Sequence, residues 1–276
     1  MRFVTEVRVG MGGVLATALL AGVSVTAHAQ SPQDIFKRMD AAYKAAKSFQ
    51  GTVSTQISGK DTTGKAVNVT RTQVIKYKSP NKMRVEVTQT GGGAAGAQMK
   101  KAGKQTIVSD GKTMLRYSAG ENQYIKAPSP PQFSLVQLLS LQLPPTIPGA
   151  TLQSPSSVKG RAAFVIKITP RMPSAAEIAK LPPEQRQAFE SQRQVVEAQF
   201  KQAKPTVLMI DKQNYQLLKM EQGSGAIRSV ATYTSSLNAS IPDSAFAFKI
   251  PAGAKEVKPQ QQPPPGGGAP MPGSPR

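Results

Sequence analysis

The chain of 276 residues contains no cysteine and no tryptophan, and its single histidine is His28. His28 falls in a stretch that is expected, as argued below, to be removed on export, so the mature chain, without cysteine or histidine, offers no thiolate or imidazole metal site, no Ser-His-Asp triad and no Cys-His pair. Aromatic residues make up only 5% of the sequence, too few for stacking platforms that bind nucleic-acid bases. We therefore expect no metal, no cofactor and no nucleic-acid partner. An enzyme would be possible only through carboxylates, lysine or serine, and we expect no catalytic residue and a protein that is not an enzyme.

Negative charge is also scarce. The chain has 35 Lys and Arg against 15 Asp and Glu, which gives a formal net charge of +20. A field of this size favours anionic partners, such as phosphate groups, acidic lipids or acidic proteins, without choosing among them.

The two ends of the chain have the composition of segments outside a folded domain. Residues 1–29 have the pattern of a secretory signal peptide, in which arginines precede a mostly apolar stretch and Ala27-His28-Ala29 fits the cleavage site. A membrane anchor is the weaker alternative, since glycine and serine interrupt a short apolar run. No cysteine follows to carry a lipid, so we expect an exported, soluble, non-lipidated periplasmic protein. Residues 258–276, rich in proline, glutamine and glycine, are predicted to be a disordered tail.

An amphipathic helix is predicted over residues 31–47. Ser31 can cap it, Pro32 suits its first position, and Asp34 falls near the positive end of its dipole. An apolar stripe recurs at helical spacing. The residues of this stripe are Ile35, Phe36, Met39, Ala42, Tyr43 and Ala46.

From residue 51 the hydrophobic period changes to two, which predicts about ten antiparallel strands. The clearest group is a meander whose strands cover residues 105–109, 113–118 and 123–127. Asp110-Gly111 is a strong turn signal between the first two of these strands. We therefore interpret Asp110 as a turn residue rather than a catalytic acid.

Two helical segments interrupt the strands. Residues 128–149 are leucine-rich, bracketed by prolines and apolar on nearly every face. They predict either a buried core helix or a lid over an apolar cavity. Residues 173–204 predict a solvated insertion, with a short helix, a break at Pro182-Pro183 and a second helix of about five turns.

Two stretches of sequence resemble the outer-membrane lipoprotein-sorting (LolA-like) family. One runs from YKSPNKMRVEV at residues 77–87 to VSDGKT and NQYIKAP in the meander. The other is the C-terminal pattern of Pro242, Asp243, Phe246, Phe248, Pro251, Gly253, Ala254 and Val257. The insertion at 173–204 departs from the family pattern.

The resemblance implies a mainly β (α+β) domain over residues 30–257. Its architecture would be an antiparallel half-open β-barrel with a helical lid over a hydrophobic cavity. The implied function is a periplasmic carrier or chaperone that takes acyl chains of lipoproteins or lipids toward the outer membrane. A lipid- or protein-sensing regulatory domain of the same fold is the alternative. Expected partners are an acylated lipoprotein or lipid, an inner-membrane donor, an outer-membrane acceptor and an anionic membrane surface, and the protein is expected to be a monomer.

The cavity and lid are predicted from apolar positions on the strands and on the leucine-rich segment. Methionine suits a cavity for variable acyl chains, although it is also common in ordinary cores. A register error of one residue would reverse the face of any strand. The predicted ligand-binding residues are Met83, Val85, Val87, Ile107, Met114, Leu135, Leu138, Leu139, Met209 and Met220.

Five basic residues of the strands could meet anionic headgroups or an acidic acceptor. The alternative is that they lie on ordinary solvated faces of the sheet. These residues are Lys76, Lys78, Lys82, Arg84 and Arg116.

Overall fold

A computed structural model of the chain describes residues 30–60, 64–92, 103–139 and 147–258. The chain divides after Gln30 into two units, and the fold below is that of the second unit. The expected signal peptide and nearly all of the expected tail lie outside the described residues, and so do residues 93–102, which precede the meander.

One large sheet forms the described part of the protein. Its twelve strands are β1 Ser48–Lys60, β2 Ala66–Lys78, β3 Lys82–Gly92, β4 Gln105–Asp110, β5 Thr113–Ser118, β6 Gln123–Pro128, β7 Ala150–Val158, β8 Arg161–Ile168, β9 Thr206–Asp211, β10 Leu217–Ser224, β11 Ile227–Leu237 and β12 Lys255–Glu256. The helices within the described ranges are α1 Pro32–Ala45, α2 Leu135–Leu138, α3 Ala175–Ala179, α4 Pro183–Ser191 and α5 Arg193–Gln202, with a 3₁₀ turn over Asp243–Phe246.

The sheet is open. Its strand order is β12-β6-β5-β4-β3-β2-β1-β11-β10-β9-β8-β7, so β12 and β7 form two separate edges. The expected class, a mainly β fold built on an open antiparallel sheet with a few helices, is confirmed. The expectation of about ten strands, all antiparallel, is wrong in detail, because β12 adds a parallel pair with β6. A two-residue strand is too short to produce a period-two signal.

Helix α1 begins as its sequence predicts. The Ser31 hydroxyl accepts a hydrogen bond from the Asp34 amide at 3.2 Å, the Asp34 carboxylate accepts one from the Ser31 amide at 3.4 Å, and Pro32 is the first helical residue. This capping box satisfies amides that lack partners inside the helix. Its apolar stripe is buried through Ile35, Phe36, Met39 and Tyr43.

The strand register defines one face of the sheet, which we call the inner face. Phe49 of β1 pairs with Tyr77 of β2, which pairs with Met83 of β3. Since side chains alternate along a strand, the odd-numbered residues of β1, β2 and β3 project to the same side. Helix α1 packs on this side, and the shared core contains Phe49, Val53, Ile75, Tyr77, Val85, Ile166, Leu208, Ile210, Leu217, Ala231 and Tyr233.

The insertion between β8 and β9 is helical, as predicted, but its second helix is not continuous. Gln192, with φ −108° and ψ 6°, separates α4 from α5. The Ser191 hydroxyl donates a hydrogen bond to the Ala188 carbonyl at 2.8 Å. Such local side-chain bonds compete with helical ones and bend helices. Neither α3 nor α4 buries a residue.

Gly51 allows strands β1 and β11 to pair closely beneath the Phe49 ring. A Cβ at Gly51 would lie 2.7 Å from Ser235 Cβ, 2.9 Å from the Thr234 carbonyl oxygen and 3.0 Å from Phe49 Cζ. Atoms of a paired strand cannot withdraw cheaply, so we expect Gly51→Ala to lower the free energy of unfolding by about 1–3 kcal/mol. Urea unfolding measures this loss as a lower midpoint at constant slope.

Gly92→Ala is the matched control, since a Cβ at Gly92 meets nothing within 4 Å. Equal losses in the two variants would contradict a steric origin.

Candidate functional site

The inner face gathers most of the residues predicted to line a cavity. Helix α1, the residues around α2 and the strands of the sheet contribute to a single apolar cluster. Its buried members include Val85, Leu135 and Leu139, and Val87, Ile107, Leu138 and Met220 pack against it while partly exposed. Elements far apart in sequence therefore build one continuous apolar surface.

The other predicted methionines divide between the two faces. Met83 and Met114 each pair with Ser109 and so lie in the same row of the inner face as Tyr77. Met209 projects from the opposite face, because its neighbours in β9 on either side, Leu208 and Ile210, belong to the core, and we correct its predicted inward orientation.

Polar contacts attach α1 to the sheet. The Leu217 amide donates a hydrogen bond to the Tyr43 hydroxyl at 3.1 Å in a buried setting. Burial raises the pKa of Tyr43 to about 12. Arg38 donates to the Tyr215 hydroxyl at 3.0 Å, and its guanidinium carbon lies 5.4 Å from the centre of that ring. Just after the helix, the Lys47 amide donates to the Asn238 side-chain oxygen at 2.9 Å.

Hydrogen bonds also attach the leucine-rich segment to the sheet. The Tyr77 hydroxyl donates to the Phe133 carbonyl at 3.3 Å, and the Phe133 amide donates to the Pro80 carbonyl at 3.0 Å. Helix α2 is a single turn, and Leu135 and Leu139 are buried in the core. Residues 140–146, which were predicted to extend this helix, lie outside the described residues.

Residues 241–258, which we call the C-terminal strap, cover the part of the outer face that β3, β4 and β5 form. Val108 and Leu115 pair on this face and are buried, as are Ile241 and Phe246 of the strap. Phe248 contacts Tyr117, with ring centroids 5.6 Å apart. Phe246 and Phe248 of the C-terminal pattern therefore contribute to a second, smaller apolar cluster, while most other residues of that pattern are exposed.

Three of the five basic residues predicted to meet headgroups contact the strap. Lys78 and Lys82 each place Nζ 2.7 Å from an Asp243 carboxylate oxygen. Hydrogen bonds from Lys78 and Lys82 lower the pKa of Asp243 to about 2. Arg84 donates to the Ala247 carbonyl at 2.9 Å and pairs with Glu86. In this arrangement their charges stabilise the strap rather than an external anion.

Asp110 has a structural role. Its carboxylate accepts hydrogen bonds from the Thr113 amide at 2.8 Å and the Lys112 amide at 2.7 Å. These bonds lower the pKa of Asp110. Across the described ranges, no group of three or more His, Cys, Asp or Glu side chains could hold a metal ion. In the same ranges no helix is long and apolar enough to cross a membrane.

Sequence reasoning missed Arg71, which lies on the inner face. It pairs with Thr55 of β1 and Gln89 of β3. Its Nε atom is buried and has no hydrogen-bond partner within the described part of the chain. The period of β2 is the signal that could have found it, because Arg71 has the same parity as Ile75 and Tyr77.

The model of one protein family, described as "Predicted periplasmic protein (DUF2092)", matches residues 32–163. The expected periplasmic location is confirmed at the level of this description. The matching model is not that of the lipoprotein-sorting family whose motifs the sequence resembles. No curated protein matches the chain in sequence.

Solved structures similar to the chain come from several bacteria. An uncharacterized conserved protein from Thermus thermophilus is 12% identical, with a TM-score of 0.43 over 83% of this chain and 99% of that one. The Mycobacterium tuberculosis lipoprotein LppX is 12% identical, with a TM-score of 0.39 over 76% and 96% of the two chains. A LolA superfamily protein from Nitrosomonas europaea is 16% identical, with a TM-score of 0.27 over 80% and 99%.

We expect the contact between α1 and the sheet to weaken when the Tyr43 hydroxyl is lost. Tyr43→Phe leaves the buried Leu217 amide without its acceptor and should lower the free energy of unfolding by about 1–3 kcal/mol. The wild type should also lose stability as pH rises from about 10 to 12, because burial raises the pKa of Tyr43 and of Tyr233 to about 12 from an ordinary 10.0. Thermal unfolding between pH 8 and 12 measures both effects. A Tyr43→Phe variant whose stability falls as steeply as that of the wild type would contradict this role.

We expect the strap to loosen in acid. The lowered pKa of Asp243 means that its contribution to stability is present above pH 3.8 and is lost as pH falls toward about 2. Asp243→Asn should remove that dependence and speed amide hydrogen exchange in residues 241–258 at neutral pH, measured by mass spectrometry. Asp40→Asn, which breaks an exposed pair with Lys44 on α1, is the control. If amide hydrogen exchange in the strap were the same in Asp243→Asn as in the wild type, the ion pairs would not be what holds the strap on the sheet.

Proposed function

We propose that this protein is a periplasmic, non-enzymatic carrier that binds the acyl chains of lipoproteins or lipids on its inner face and takes them toward the outer membrane. One observation carries the proposal. The apolar inner face of an open sheet is covered by an amphipathic helix and a single helical turn, with no second sheet across it in the described ranges. Such a cover can move away without breaking a strand pair.

This proposal is supported by a comparison of two burial free energies, that of the apolar side chains of α1 and that of an acyl chain. Burying a large apolar side chain is worth about 1.5–3 kcal/mol, so the four buried side chains of α1 contribute about 6–12 kcal/mol. A 16-carbon acyl chain, at about 0.8 kcal/mol per CH₂, gains about 12 kcal/mol when it is buried. An acyl chain could therefore replace α1 on the inner face with little net loss of apolar burial.

The edges of the sheet support a monomer. Strand β7 contains Pro155 beside an irregularity in its register, and its residues from Thr151 to Ser157 are exposed and mostly polar. Strand β12 has only two residues. Short strands and edge prolines discourage pairing with another chain. The net charge of +20 suits an anionic membrane surface, or acidic patches on an inner-membrane donor and an outer-membrane acceptor.

A sensing domain that binds a lipid or a protein and controls a regulator is the second candidate. The insertion favours it, because α3 and α4 bury no residue and so present a helical surface that a carrier does not need.

Native mass spectrometry of the protein purified from the periplasm without detergent is the first test. Adducts that organic extraction removes, identified as acyl lipids or lipopeptides, are expected. A palmitoylated fluorescent peptide should bind to the extracted protein. A clean spectrum together with no binding of this peptide would remove the basis of the proposal.

A pair of variants locates the binding face. Val87→Gln places an amide on the inner face and should weaken binding of the palmitoylated peptide by at least about tenfold. Val74→Gln on the exposed outer face should leave it unchanged, since Val74 has the opposite parity in β2 from the core residue Ile75. Equal effects would place binding elsewhere. Tight binding without transfer of the peptide to acceptor vesicles would favour the sensing candidate.

A further inference from the structure

The inner face of β1, β2 and β3 changes character along the strands. Near one end its paired rows are apolar, and further along a polar row lies between them and the apolar row Ile57–Val69–Gly91, all on the side of the sheet on which α1 packs. The successive rows are Phe49–Tyr77–Met83, Gly51–Ile75–Val85, Val53–Gln73–Val87 and Thr55–Arg71–Gln89. A strand rises about 3.3 Å per residue, so about 20 Å separates Tyr77 from Arg71 along β2.

Arg71 is the cation of this polar row. Its cross-strand neighbours, Thr55 and Gln89, are neutral, and its Nε is buried without a hydrogen-bond partner in the described ranges. Burying part of a charged group is costly unless an acceptor satisfies it. The strand pairs around it supply no carboxylate, since the single acid of β1–β3 is Glu86, of opposite parity to Val85 and engaged by Arg84 and Lys104.

We propose that Arg71 binds the anionic headgroup of the ligand, a carboxylate or a phosphate, while the acyl chain lies along the apolar rows toward Tyr77. This inference rests on the proposed binding of acyl chains at the inner face. A guanidinium presents parallel N–H donors that match the two oxygens of a carboxylate or phosphate. The strand register would then fix the orientation of the ligand as well as its site, and it would favour anionic over neutral lipids.

The test compares two probes that differ only in charge. cis-Parinaric acid and its methyl ester share one chain, and their fluorescence reports binding to the delipidated full chain at pH 8, where the acid is ionised. The wild type should bind the acid at least about tenfold more tightly than the ester. Arg71→Met should weaken binding of the acid alone and so bring the ratio of the two affinities to about one. Arg71→Lys should restore part of the preference for the acid. Lys167→Met, which removes an exposed cation of β8, should behave as the wild type.

Displacement of bound parinaric acid separates the sources of the anion. Lysophosphatidate that competes more strongly than a fatty acid of the same chain assigns the site to phosphate headgroups, and the reverse order assigns it to carboxylates. A neutral monoacylglycerol of that chain should compete at least about tenfold less well than either.

The outcomes separate the two proposals. Tight and equal binding of acid and ester by the wild type would overturn the role of Arg71 and leave acyl binding intact. Failure to bind either probe would overturn acyl binding itself. The ratio in the wild type needs no variant, so the proposal remains falsifiable even if Arg71→Met does not fold.

Discussion

The covering of an apolar face is the constraint on which this structure depends. An open sheet has no second layer of its own, and water against Phe49, Ile75, Val85 and the other core residues would remove the stabilisation that their burial provides. Helix α1 supplies the cover, and its position is fixed by the buried hydrogen bond between Tyr43 and Leu217 together with the contact of Arg38 with Tyr215. Apolar packing therefore stabilises α1 on the inner face, while a few polar contacts fix its position there.

The outer face also has apolar residues that need a cover, but they are fewer and a different segment covers them. There the strap covers Val108 and Leu115 with Phe246, and ion pairs of Asp243 with two lysines hold it in place. Exposed ion pairs contribute little individually, so the buried phenylalanine ring must supply most of the stability of this contact. Parts of the two opposite faces of the sheet are thus covered by α1, which precedes the sheet in the chain, and by the strap, whose residues Lys255–Glu256 form the edge strand β12.

The elements that could be predicted from sequence are those whose signals are local. The capping box at Ser31, the alternation of β3 and the Asp110-Gly111 turn each depend on neighbouring residues, and each is present. Features that depend on distant partners were missed or placed wrongly. The face of Met209 depends on register, β12 exists only through β6, and the unpaired Nε of Arg71 becomes evident only when both neighbouring strands are in place.

The hydrogen bond between Tyr43 and Leu217 has a consequence for the order of folding. Its two residues lie 174 positions apart in the chain, so the covering helix precedes in sequence nearly the whole surface that it covers. Strand β1 has a distant partner of its own, since Phe49 pairs with Leu237 of β11, still further along the chain. Contacts over such separations form late, because loop closure costs entropy before they are made. One closure of the chain serves both contacts, because β11 brings its neighbour β10, and with it Leu217, to the covering helix. The joining of the two halves of the sheet and the fixing of the helix over them are therefore expected as a single late step of folding.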